Sequence, residues 1–114
     1  MNHITRMLGA GAVAILLSTG AYAGDAAVTP AQIEAAKTPA DHEAIAATYE
    51  KEAVRLEEMA KEHDAMAKTY RAAAAGKKGM YKASMSTHCQ NLAKQYREAA
   101  EQNRAMAAEH RTMR

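Results

Sequence analysis

From Pro39 to Ala75 neither glycine nor a further proline interrupts the chain, and apolar or small residues return in steps of three and four. His42, Ile45, Tyr49, Glu52, Leu56, Met59, His63, Met66, Tyr70 and Ala73 mark the stripe. That alternation is a heptad seam, the pattern of a helix packing along its length on another helix. Beside the seam Ala46, Ala53, Ala60, Ala67 and Ala74 recur at every seventh position. Glu50, Glu57, Asp64 and Arg71 fall on the other side, which reads as solvated charge. A second uninterrupted stretch from Met80 to Arg114 repeats the layout with Cys89, Leu92, Tyr96, Ala99, Asn103, Met106, His110 and Met113.

The ends of these stretches carry helix signals. Thr38 can cap, Pro39 suits the first helical position, and Asp41 sits in the first turn, where the helix dipole favours a carboxylate. The spacing therefore predicts a first helix over about 39–74, a turn over 75–79 with Gly76 and Gly79, and a second helix over about 80–114. Residues 24–37 read as a weakly structured leader or short helix starting at Thr29-Pro30. Two long helices joined by so short a turn lie antiparallel. The expected fold is all-α: a two-helix hairpin over 38–114.

Aligning residues 41–67 on 88–114 matches Ala46 with Ala93, Tyr49 with Tyr96, Ala53 with Ala100, Met59 with Met106, Ala60 with Ala107, Glu62 with Glu109, His63 with His110 and Met66 with Met113. Shared Ala and Glu follow from helix composition. The Tyr, Met and His matches in register point to an internal duplication. If the turn centres on Gly76, positions equidistant from it face each other. His63 then faces Cys89, and His110 faces His42.

This places most chemistry-bearing residues in two clusters. One holds His63, Met66 and Cys89, with Met85 and His88 beside them. The other holds His42, His110 and Met113, with Met106 a turn away. Imidazole, thioether and thiolate form a soft ligand set suited to copper, above all Cu(I). Zinc gains little from methionine. Haem ranks lower still, because no C-x-x-C-H attachment motif or large aromatic lining is present. The plain alternative is that methionine on a seam fills core space and that these histidines are structural.

Composition narrows the rest. With no Phe, no Trp and eight Met, the chain lacks the residues from which sheets are built. Met1–Arg6 is a basic flank, Met7–Leu17 an apolar run and Ala21-Tyr22-Ala23 a small-residue triplet. That is a secretory signal, with cleavage expected after Ala23 and the periplasm or the medium as destination. Its apolar run is shorter than the ~20 residues a membrane span needs, so no membrane insertion is expected after cleavage. Removing Arg6 from fifteen Lys and Arg leaves fourteen against thirteen Asp and Glu, a net charge of +1. Such a balance gives no reason to expect nucleic acid as a partner. Cys89 stands alone, so it is a ligand, a buried thiol or an intermolecular bridge.

Nothing resembles a nucleophile elbow, a phosphate loop or a carboxylate pair in a cleft, so catalysis is not expected. Two helices bury only one stripe each, and the alanine columns offer a second contact surface through which the hairpin can dimerise into a four-helix bundle. The expected function is binding of a soft metal, copper first, for buffering or delivery. The alternative is a structural or interaction protein, such as a periplasmic helical adaptor or stress protein, that binds no metal.

Overall fold

The computed structural model describes residues 27–75 and 79–113. The expected signal segment with its cleavage point, and Gly76 at the centre of the expected turn, lie outside the described residues. Among those described every regular element is helical: α1 (Pro30–Ala35), α2 (Pro39–Ala73) and α3 (Gly79–Thr112).

Both helices that follow a Thr-Pro step start as that dipeptide dictates. Thr29 and Thr38 stand in extended backbone ahead of Pro30 and Pro39, and each closes a capping box. At α2 the Asp41 N–H donates to the Thr38 hydroxyl at 3.2 Å, while the Thr38 and Lys37 N–H groups donate to the Asp41 carboxylate at 2.9 and 3.0 Å. Donors that a helix start otherwise leaves to water are thereby satisfied. Those bonds hold the Asp41 carboxyl below the usual carboxylate range, the Lys37 backbone bond contributing most. Gly79, expected in the turn, is the first residue of α3.

α2 and α3 pack on each other as antiparallel neighbours, since early residues of α2 meet late residues of α3. His42 meets His110, Glu57 meets Arg104, and Ala67 meets Ser86. The strip buried between them differs from the expected seam. Ala46, Ala53, Ala60 and Ala67 of α2 and Ala93, Ala100 and Ala107 of α3 are buried, none more than 3% exposed. The alanine columns are therefore the centre of the contact within one chain and not a second surface left for a partner. The physical reason is distance. Helix axes stand ~8–10 Å apart according to the side chains between them, and methyl groups allow the closest approach. The Ser86 hydroxyl records that closeness, donating across the gap to the backbone carbonyl of Ala67 at 2.8 Å.

Larger side chains fill in around this strip. Leu56 packs with Ala53 and Ala100, and Tyr96 and Ala99 close over them. Ile45 and Cys89 are buried, but Leu92, Met106 and Met113, expected in the seam, are 38–44% exposed. The contact is thus turned from the expected seam toward the alanines.

The charged side also differs from expectation. Arg104 donates to Glu57 at 2.6 Å, Arg97 pairs with Asp64, and Arg111 reaches Glu50 at 2.8 Å and Glu43 at 3.1 Å. Glu50, Glu57 and Asp64 are therefore cross-helix partners along one margin of the contact. The nearby arginines hold the Glu57 and Asp64 carboxyls below the usual range. Glu52 pairs with Arg55 on its own helix through two short bonds. Asn103 donates to the Ala99 carbonyl one turn back on α3.

Candidate functional site

At the end of the pair remote from the turn, α2 presents His42 and α3 presents His110. Their Nδ1 atoms are 3.1 Å apart, and His110 is buried to 9% exposure. One ring must donate the hydrogen and the other accept it. The Tyr49 ring lies 5.8 Å from the His110 ring, tilted by 32°. Met113, one turn beyond His110, is 44% exposed. The Glu43 and Glu50 carboxylates stand beside this end, held by Arg111. Of the second expected cluster, His42 and His110 are thus together, with Met113 at the rim.

The other cluster is less complete. The His63 ring stacks on Tyr96 of the opposite helix, with centroids 5.4 Å apart and planes 21° from parallel. Its Nδ1 is buried with no hydrogen-bond partner. Cys89 is a buried free thiol, Met85 is half-buried, and His88 and Met66 point outward. Among the described residues no three His, Cys, Asp or Glu side chains converge to hold a metal ion. A metal here would need thioether ligands or groups from another molecule.

The two ring contacts occupy corresponding places. His63 sits between Met59 and Met66 on α2 as His110 sits between Met106 and Met113 on α3, and each faces a tyrosine across the contact. The ion pairs follow the same exchange. Glu50 with Arg111 and Asp64 with Arg97 are related by the register that aligns 41–67 on 88–114.

Three features were not read from the sequence. The first is the ion-pair margin, whose signal was present as Glu50, Glu57 and Asp64 on α2 against Arg97, Arg104 and Arg111 on α3 at matching spacing. The second is the exposure of the methionine row. The third is a shallow groove of about 260 Å³ between α1 and the start of α2, lined by Val28, Gln32, Ala36, Ala44, Ile45 and Thr48.

No helix among the described residues is long and apolar enough to cross a membrane. Compared with known proteins, the chain matches no family model, no curated protein and no solved structure.

Proposed function

We propose that this protein binds a soft transition-metal ion, Cu(I) first, and serves in the periplasm to buffer or deliver it. The carrying observation is the separation of 3.1 Å between the Nδ1 atoms of His42 and His110. Two nitrogens bound to one metal at ~2.0–2.1 Å stand about 3.3 Å apart at a tetrahedral angle. Exchanging the shared hydrogen for a metal ion asks the two rings to separate slightly and to turn toward a common point. Met113 supplies a thioether within a turn of His110, which favours copper over zinc. His63, Met66 and Cys89, with His88 and Met85 nearby, form the second set. The unpartnered Nδ1 of His63 is the observation in its favour.

The finer architecture belongs to the same reading. Each helix carries one Met-x3-His-x2-Met unit on a heptad-spaced framework, and the exchanged tyrosine and ion-pair contacts support an origin by duplication. The working unit is a homodimer of hairpins.

A second reading, a structural or interaction protein without metal, is favoured by the half-exposed row of Met and Leu on one margin. The two separate on a Cu(I) competition titration against a coloured chelator, with the protein kept reduced. Stoichiometric withdrawal of copper, lost in His42→Ala and His110→Ala while helix content persists, is the expected result. No withdrawal from a micromolar competitor would remove the metal reading and leave the interaction protein.

A further inference from the structure

The two long helices carry the same Met-x3-His-x2-Met unit, Met59, His63 and Met66 on α2 and Met106, His110 and Met113 on α3. The first methionine of each unit lies four positions before its histidine, on the same helix face and one turn away. Its sulfur can there meet an ion that the imidazole holds. The surroundings of that methionine differ between the two units. On α2 the Arg55 guanidinium donates to the Met59 sulfur at 3.0 Å. Two further bonds, at 2.9 and 2.6 Å, hold the same guanidinium to the Glu52 carboxylate. The register that aligns 41–67 on 88–114 puts Gln102 in the place of Arg55 and Ala99 in the place of Glu52. α3 therefore has neither half of this clamp.

A guanidinium on a thioether opposes a metal in two ways. It occupies the sulfur lone pair that a soft ion would use, and it brings a positive charge to where the ion would stand. Arginine keeps that charge at any physiological pH. Releasing Met59 also means undoing the planar two-bond fork to Glu52. The guanidinium lies within electrostatic reach of Tyr96, whose ring stacks on His63, so its charge sits at this cluster. At the remote end two carboxylates, Glu43 and Glu50, share the one guanidinium of Arg111. Negative charge is in excess among those three groups, which favours a cation beside His110.

From these differences we infer that Arg55 makes the two ligand sets unequal by withholding the Met59 thioether from a metal at His63. Met106, with no guanidinium before it, is a further ligand of the set formed by His42, His110 and Met113. That set takes the first ion, and the set of His63, Met66 and Cys89 fills second and more weakly. The inference rests on the metal reading above. Arg55 itself touches no ion; it is a positioning residue for the sulfur it holds.

A Cu(I) titration of the reduced protein against a series of coloured chelators, with the methionine methyl groups followed by NMR, tests this. The expected result is two equivalents whose affinities differ about tenfold or more, the scale on which one nearby unit charge acts. The Met106 and Met113 methyl signals should move with the first equivalent, Met66 with the second and Met59 with neither. Glu52→Ala with Arg55→Gln copies the α3 residues onto α2. It should strengthen the second equivalent about tenfold and make Met59 move. Gln102→Arg, at an exposed position, should weaken the first. Helix content by circular dichroism should hold in both variants. Two equal equivalents in the wild type, with Met59 moving, would overturn the inference and leave the metal reading standing. Unequal equivalents unchanged by either variant would overturn the role of Arg55. No copper withdrawn by the wild type or the variants would remove the metal reading and the inference together.

Discussion

Thr38 and Asp41 satisfy each other's backbone donors at the start of α2, and the arrangement was legible from Thr-Pro followed by an acidic residue. Thr38→Ala should lower the unfolding free energy by ~1 kcal/mol, read as a lower urea midpoint with an unchanged slope. The histidines were legible in a different degree. Equidistance from Gly76 put His42 opposite His110, and their nitrogens meet. The same rule placed His63 opposite Cys89, yet the ring of His63 stacks on Tyr96. Spacing predicts which Cα atoms come near one another. It does not predict which rotamer a flat ring takes when an aromatic partner lies two turns away.

At the scale of the element, both long helices are readable from their period, and Ile45, Leu56, Cys89 and His110 of the expected seam are buried, but the centre of the contact lies one row over, on the alanines. Residue size puts Tyr49, Met59, Met66 and Met106 in the seam and the alanines beside it. Close packing reverses that weighting. Each buried methyl contributes only ~0.8 kcal/mol by transfer, but an all-alanine strip lets the two backbones approach until a serine hydroxyl spans them. Ala53→Leu should therefore destabilise the helix pair by ~1–3 kcal/mol despite adding apolar surface. Thermal unfolding followed by circular dichroism measures this. An unchanged or raised Tm would mean that the alanine strip has room to spare.

Among the described residues one margin of the helix pair is held by ion pairs between the helices, and the other carries Met66, Leu92 and Met106 with the Glu52–Arg55 pair in the same row. The charged margin ties stability to pH. Arg104 and Arg97 depress the Glu57 and Asp64 carboxyls, so the folded chain binds protons there less readily than the unfolded chain. The stabilisation is fully present above the ordinary carboxylate pKa of ~4, and it is lost as pH falls through the depressed folded values. The urea midpoint should thus decline on acidification below that range, and Glu57→Gln with Asp64→Asn should flatten the decline. A wild-type midpoint constant to pH 3 would show that the pairs contribute nothing, which is the usual weakness of exposed ion pairs. The sequence held these charges in full view. They read as a solvated face because the seam was set one row away, and moving that seam brings them to the edge of the contact.

The order in which the helices close follows from where their cross-links sit. Ser86 and Ala67 are 19 positions apart along the chain, whereas His42 and His110 are 68 apart. Bringing the second pair together from an open chain costs about 1 kcal/mol more than the first, since closure entropy grows with the logarithm of loop length. Zippering from the turn spreads that cost over the contacts already made. The imidazole pair is then a clasp at the free end of the zip, the last contact fastened and the first to part.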